Sequence, residues 1–308
     1  MGGFLQEWNQ WGVGFIVALQ ARTGGILDLV FTLITGMGDE LFCLFLLPFL
    51  FWCIGKRHGM HIAVLLFISL FINNLLKLAF ANPRPFVVSA DVVAKVEATG
   101  YSFPSGHSQN AAVIWPALAF MFRRRWVAAL AAICTLLIAF SRVYLGVHYP
   151  HDIVVGALVG LLIAYAYVRH APALESWVAR WSLGWQLALV LLLTLVLSVS
   201  VTNNDALKLA GSVCGIGLGY ILEQRMLRFQ PKVDWRKRVL SLGLGLAIVA
   251  VVYVGMKLLA PTANEVVAAA FRFVRYMSIG LVAVYVVPWV LVRTSLADAP
   301  IARVGAAL

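Results

Sequence analysis

Charge is scarce in this chain. Asp, Glu, Lys and Arg make up 12% of its 308 residues, about half of the roughly 25% usual in a soluble domain. With 62% apolar residues and a mean hydropathy of +0.91, the composition excludes a soluble globular enzyme and a disordered chain. Acid is scarcer than base: 13 Asp and Glu face 24 Lys and Arg, a formal net charge of +11. The basic residues sit in short gaps between apolar runs. That pattern suits topology determinants and anionic-lipid contacts, and argues against nucleic-acid binding. Cysteine is also sparse. Cys43, Cys53, Cys134 and Cys214 all lie inside apolar runs, which excludes a disulfide or zinc framework. No carboxylate pair or Cys/His set suggests a catalytic metal. No Lys or Arg precedes Arg22, so a cleavable signal with a charged leading region is not expected.

What the chain has instead is long apolar runs. A membrane helix needs about 17–25 mostly apolar residues. Candidates are 41–54, 59–80, 107–122, 126–142 and 150–168, then 183–201, 206–222, 239–259 and 273–292. Residues 11–35 are long enough to span but carry Gln20, Arg22, Asp28 and two adjacent glycines. Arg22 in mid-bilayer costs about 2.5–3.5 kcal/mol on insertion scales. The reading favoured is an amphipathic interfacial helix, then a short helix that stops at Gly36-Met37-Gly38-Asp39. If the nine spans alternate sides, 15 of the 24 basic residues, from Lys56 to Arg303, fall on one side. That side is then cytoplasmic. The fold expected is all-α: a polytopic transmembrane bundle with a six-helix core over 1–170 and about four further helices over 171–308.

Polar residues gather on the opposite side. Lys77 lies near the end of one span, followed by Arg84-Pro85. The next span opens with Pro104-Ser105-Gly106-His107, another ends with Ser141-Arg142, and the next opens near His148 and Asp152. Lys77, Arg84 and Arg142 suit a dianionic phosphate, with Arg giving bidentate contacts. Ser105-Gly106 at a helix start offers backbone N–H groups to phosphate oxygens. His148 and Asp152, four apart, share a helix face. A carboxylate on one imidazole nitrogen leaves the other as a nucleophile or a base. His107 is left to act as the acid for a leaving group.

Lys77-(six residues)-Arg84-Pro85, Pro104-Ser105-Gly106-His107 and Ser141-Arg142-(five residues)-His148-(three residues)-Asp152 resemble the three motifs of the type 2 phosphatidic acid phosphatase family. The site of that family is similar to those of vanadium haloperoxidases and glucose-6-phosphatase. The resemblance covers about residues 28–168. It implies a metal-independent mechanism without cofactor. His148 would attack phosphorus and form a phosphohistidine, oriented by Asp152. His107 would protonate the leaving oxygen and later help activate water. Lys77, Arg84, Ser105, Gly106 and Arg142 would hold the phosphoryl oxygens. The implied partners are a phosphorylated lipid and the bilayer; nucleic acid is not among them, and a homo-oligomer stays open. The expected setting is a bacterial inner membrane, with the site facing the periplasm or exterior. Two rivals remain: a lipid-to-lipid phosphotransferase on the same site, and a lipid transporter carrying a vestigial site. Polyprenyl diphosphate and glycerophospholipid phosphates rank first among substrates.

Other residues have simpler readings. His151 is expected in a loop, and His58, His61 and His170 in solvent. Asn73 and Asn74 suit interhelical hydrogen bonds. Gly156 and Gly160 form a GxxxG step for close helix packing; Gly211, Gly215, Gly217, Gly219, Gly243 and Gly245 suit the same role, with a lipid or partner groove as the alternative. Lys208, Glu223, Lys257, Arg272 and Arg275 are expected near helix ends, snorkelling to the interface, with local pairing to Arg225 or Arg228 as the alternative for Glu223. The loop 81–101, with Asp91, Lys95 and Glu97, is either a short lid helix or a connector.

Overall fold

The computed structural model describes residues 2–200, 204–261 and 264–299. Val201 and Arg303, which entered the span and charge readings, lie outside them. The chain forms two compact units. One holds the described residues of Met1–Leu44 and Ile62–Pro172; the other holds those of Phe45–His61 and Ala173–Leu308.

All nine spans read from the sequence fall on helices. In chain order these are α1 (Gly2–Gln20), α2 (Ile26–Gly36), α3 (Glu40–Phe49) with a π-helical turn Leu50–Ile54, α4 (Lys56–Phe80), α5 (Pro85–Val88), α6 (Gly106–Phe122), α7 (Arg125–Tyr144) and α8 (Pro150–Ala179). Then come α9 (Leu183–Ser200), α10 (Asn204–Leu222) with a π turn Glu223–Leu227, α11 (Trp235–Leu258), α12 (Glu265–Leu281), a π turn Val282–Val286 and α13 (Val287–Arg293). Among the described residues, six helical segments are long and apolar enough to cross a membrane: Lys56–Val88, Arg125–Tyr144, Pro150–Ala179, Ala206–Leu227, Trp235–Leu258 and Glu265–Arg293. Large apolar side chains point outward from them: Leu136, Leu162 and Val251 are 69%, 67% and 72% exposed. Such exposure, repeated along whole helix faces, requires lipid as the solvent. The first forty residues break into two helices at Ala21–Gly25, and α2 has only 11 residues, too few to span.

In the first unit, α6 packs on α7, and α1 and α2 also pack on α7. The buried side chains of Ile16, Val92, Val143 and Tyr149 join α1 to the loop before α8. Gly12 makes this approach possible, since a Cβ there would meet the Tyr149 ring at 2.8 Å. The loop 81–101 contains only the one-turn α5 and is otherwise irregular. It is pinned from α1 by reciprocal amide bonds between Asn9 and Asn82 (2.8 and 3.2 Å) and by Gln20, which donates to the Val93 carbonyl (2.8 Å) and accepts from its N–H (3.1 Å). Lys95 donates to Asp28 of α2 at 2.5 Å.

In the second unit, Phe51, Trp52, Phe229, Val287 and Leu291 form the core. Trp52 Nε1 donates to the Ala283 carbonyl at 2.8 Å, and the Trp52 ring occupies the space a side chain at Gly245 would need. Gly211, Gly215 and Gly280 let α10 and α12 touch backbone to backbone. Gly243 faces open space, so close packing does not extend to it. Glu223 is fully buried and accepts from Lys56 Nζ (2.8 and 3.1 Å) and from the Phe229 N–H (2.7 Å). Both readings of Glu223, snorkelling to the interface and pairing with Arg225 or Arg228, are therefore corrected: the π turn carries it inward to Lys56 at the start of α4. His61 is also not in solvent, as its Nε2 lies 3.3 Å from Glu175.

Candidate active site

The first unit brings all eight candidate residues to one end of its helices. Motif three supplies the centre. After α7 ends, the N–H groups of Val147 and His148 return to the Arg142 carbonyl, each at 3.2 Å. This tight turn fixes His148 against the start of α8. There His148 Nδ1 lies 3.2 Å from Asp152 Oδ2, which also accepts from the Tyr149 N–H at 3.0 Å. Ser102 completes the cluster: its hydroxyl donates to the same Asp152 oxygen and lies 3.3 Å from His148 Nδ1. His148 and Asp152 are both buried, 2% and 0% exposed.

The other ring nitrogen defines the tautomer. Arg84 Nη1 stands 3.3 Å from His148 Nε2. A guanidinium only donates, so Nε2 presents its lone pair and Nδ1 carries the hydrogen toward Asp152. Burial pushes His148 well below its ordinary value near 6.5, and the charges of Arg84, Arg142 and Lys77 push it further. The ring is thus held neutral, with an unprotonated nitrogen aimed among cations.

Arg84 and Lys77 are anchored by backbone oxygens and Arg142 by a side-chain hydroxyl. Arg84 donates to the carbonyls of Thr99 (2.7 Å), Gly100 (3.0 Å) and Val147 (2.9 Å). Lys77 donates to the Tyr101 carbonyl at 2.6 Å. Arg142 Nη1 donates to Thr35 of α2 at 2.6 Å. Its Nε is buried with no hydrogen-bond partner among the described residues.

Motif two is held by its neighbours. Ser105 caps α6, its hydroxyl accepting from the Ser108 N–H at 3.4 Å. The Ser105 N–H donates to the Asp152 carbonyl at 3.1 Å, which ties motif two to motif three. Gly156, one turn past Asp152, lets α8 lie against this turn; a Cβ there would stand 2.5 Å from the Ser105 carbonyl oxygen. Gly160 does the same against the Gln109 carbonyl. Asn73 donates to Gln109 (3.0 Å) and to the Pro104 carbonyl (3.3 Å), the interhelical role expected of it. His107 Nε2 lies 2.6 Å from Asp39 Oδ1. The imidazole beside Asp39 holds its carboxyl below the usual carboxylate range.

His151 departs from its reading as a loop residue. It lies in the first turn of α8, stacked on Tyr149 (centroids 5.2 Å apart, 10° between planes) and edge-on to Trp8 at 6.1 Å. Residues 150–152 already turn helically, which draws the ring under α1.

With this geometry in place, comparison with known proteins is decisive. The PAP2 superfamily pattern matches residues 58–175. The undecaprenyl-diphosphatase BcrC of Bacillus subtilis is 31% identical over 157 residues, covering 50% of this chain and 79% of that protein. The chain belongs to the PAP2 superfamily. It is a membrane lipid phosphatase of PAP2 type. Phosphatidylglycerophosphatase B of B. subtilis is 34% identical over 103 residues, covering 30% of this chain and 48% of that protein. The crystal structure of a transmembrane PAP2-type phosphatidylglycerolphosphate phosphatase from B. subtilis is 26% identical, covers 56% of this chain and 89% of that one, and superposes with a TM-score of 0.49. Residues 207–299 match the transmembrane extension of PAP2 superfamily phosphatases.

The PAP2 match contains all eight residues read from the motifs. Thr35 and Asp39 precede it, and Ser102 lies inside it but outside the motifs. Sequence reading missed these three. The stop at Gly36-Met37-Gly38-Asp39 was visible, yet nothing in the sequence says that it lands on His107.

Proposed function

We propose that this PAP2 protein hydrolyses a lipid phosphomonoester or diphosphate through a phosphohistidine on His148, at the non-cytoplasmic face of the membrane. The observation that carries the reading is the orientation of His148. Its Nδ1–H is backed by Asp152, and its Nε2 lone pair faces Arg84. A neutral, oriented imidazole among cations is a nucleophile next to an anion site. Lys77, Arg84, Arg142 and the Gly106 N–H hold the phosphoryl oxygens as charge builds in the pentacoordinate state. Arg142 Nε is a ready donor for one of them. His107 gives the leaving lipid oxygen its proton. In this reading catalysis belongs to residues 1–170, and 171–308 is a transmembrane extension. The facing of the site rests on the basic residues, 15 of 24 of which lie on the opposite side when the spans alternate.

Polyprenyl diphosphate is the substrate class we favour, because BcrC, an undecaprenyl-diphosphatase, matches half of this chain. Phosphatidylglycerophosphate is the second choice. The test is phosphate release in detergent from a panel of polyprenyl diphosphate, phosphatidylglycerophosphate, phosphatidic acid and lipid A, wild type against His148→Ala. The expected result is release that His148→Ala abolishes without loss of fold. Wild-type rates in His148→Ala would sink the mechanism. Labelled phosphate appearing on an added lipid alcohol instead of in water would make the protein a phosphotransferase.

A further inference from the structure

Asp39 lies in the turn between α2 and α3, and no motif includes it. The turn is built by successive backbone bonds: Met37 N–H to Ile34, Gly38 N–H to Thr35 and Asp39 N–H to Gly36, at 3.1, 2.9 and 3.2 Å. Two candidate site residues hold it. Arg142 grips Thr35 at 2.6 Å, and the His107 ring packs on Gly38, where a Cβ would meet Cδ2 at 3.0 Å and Ile138 at 3.2 Å. The turn thereby places the Asp39 carboxylate 2.6 Å from His107 Nε2.

We propose that Asp39 is a positioning residue whose carboxylate holds the Nε2–H of a His107 imidazolium, so that the second ring proton, on Nδ1, is the one delivered to the leaving lipid oxygen. The inference rests on the reading of His107 as the acid. Each histidine then has its own carboxylate: Asp152 leaves a lone pair on His148, and Asp39 leaves a proton on His107. In the first step His148 Nε2 forms a bond to phosphorus and the bond from phosphorus to the lipid oxygen breaks. Its electron pair stays on that oxygen, which takes the Nδ1 proton. In the second step water returns a proton to Nδ1 as its oxygen bonds to phosphorus. The phosphorus–nitrogen bond breaks, and its electrons return to His148. Burial disfavours the second proton on the His107 ring, the Asp39 carboxylate favours it, and the charges of Arg142 from α7 and Lys77 from α4 act with burial.

A partly exposed ion pair adds little to stability, and Asp39 is 47% exposed, so the effect belongs in the chemistry. The experiment uses the full chain in detergent micelles with two probes. Phosphatidic acid leaves an alkoxide that needs a proton; 4-nitrophenyl phosphate leaves a phenolate that does not. For Asp39→Asn the single-turnover rate of phosphoryl transfer from phosphatidic acid to His148, which leaves out the second step that both probes share, falls about 100-fold, the low end of what a general acid supplies. On 4-nitrophenyl phosphate it stays within about 3-fold. The alkaline limb of the phosphatidic acid profile moves to lower pH, and in a His107→Ala background Asp39→Asn causes no further loss. Equal loss on both probes, no loss on either, or a further loss in the His107→Ala background would overturn the proposal. Wild-type hydrolysis of phosphatidic acid by His107→Ala would instead remove the acid assignment beneath it, a distinct outcome.

Discussion

Replacing Gly156 with alanine tests how tightly α8 must lie against the second motif. The new Cβ would stand 2.5 Å from the Ser105 carbonyl oxygen and 3.3 Å from the Ser105 nitrogen. Ordinary contact begins near 3.4 Å and real Cβ atoms do not approach below 3.0 Å. The helix and the turn must therefore part by about 0.5–0.9 Å, since packed interiors relax only slightly. The Ser105 carbonyl and the Gly106 N–H share one rigid peptide plane, so the donor proposed to meet the phosphate moves with the oxygen. The bond from the Ser105 N–H to the Asp152 carbonyl, 3.1 Å long, stretches at the same time. A misplacement near 1 Å can cost about 100-fold in rate, and overpacking costs about 1–3 kcal/mol of stability. Gly156→Ala is expected to lose about 30- to 100-fold in kcat, with a lower Tm. The assay is steady-state phosphate release in detergent alongside thermal unfolding. Gly14→Ala in α1 is the control: nothing lies within 4 Å of its Cβ, and alanine favours a helix interior by about 1 kcal/mol. Wild-type kcat and Tm in Gly156→Ala would refute the reasoning.

Three further outcomes follow from the same structure. Ser102→Ala removes a donor from the Asp152 oxygen that faces His148 and should lower kcat about 10-fold, in line with the outer-layer supports of active sites, with KM unchanged; an unaltered kcat would contradict the assignment of Ser102 to the cluster. His148 should titrate below 6.5, because burial and then the charges of Arg84, Arg142 and Lys77 disfavour its protonation. The unfolded chain then binds the proton first, so the stability linked to His148 is full above pH 6.5 and declines as pH falls below it; nitrogen-15 spectra of histidine-labelled protein showing a titration of His148 at or above 6.5 would contradict this. Lys56→Met leaves Glu223 buried without its cation and should cost about 3–5 kcal/mol, read as a fall in Tm; an unchanged Tm would show the pair to be dispensable.

The sequence made the site legible where its residues follow one another at fixed spacing. His148 and Asp152 stand four apart at the start of one helix, so their spacing alone predicts a shared face. Helix-forming apolar runs made the spans legible for the same reason: burial in lipid leaves a local signature. The supports of the site left no such signature. Asp39 meets His107 across 68 residues, Thr35 meets Arg142 across 107, and Asn9 meets Asn82 across 73. Thr35 is one polar residue in an apolar stretch, Asp39 adjoins Glu40, and Asn9 lies among Gln6, Glu7 and Gln10; in each case only tertiary packing decides the partner. Glu223 shows the cost of defaulting to neighbours. Arg225 and Arg228 were near in sequence, but the π turn faces the carboxylate inward to Lys56, 167 residues away. His151 misled in the opposite way, since a position without a role in the motif still became part of an aromatic cluster under α1.

The central claim is that phosphate passes through His148. Rapid mixing with labelled polyprenyl diphosphate, an alkaline quench that preserves phosphohistidine, and mass spectrometry of the digested protein test it directly. The account predicts labelled phosphate on His148, appearing within one turnover and absent from His148→Ala. Phosphate on another residue, or full turnover with no phosphorylated protein at any time, would contradict it.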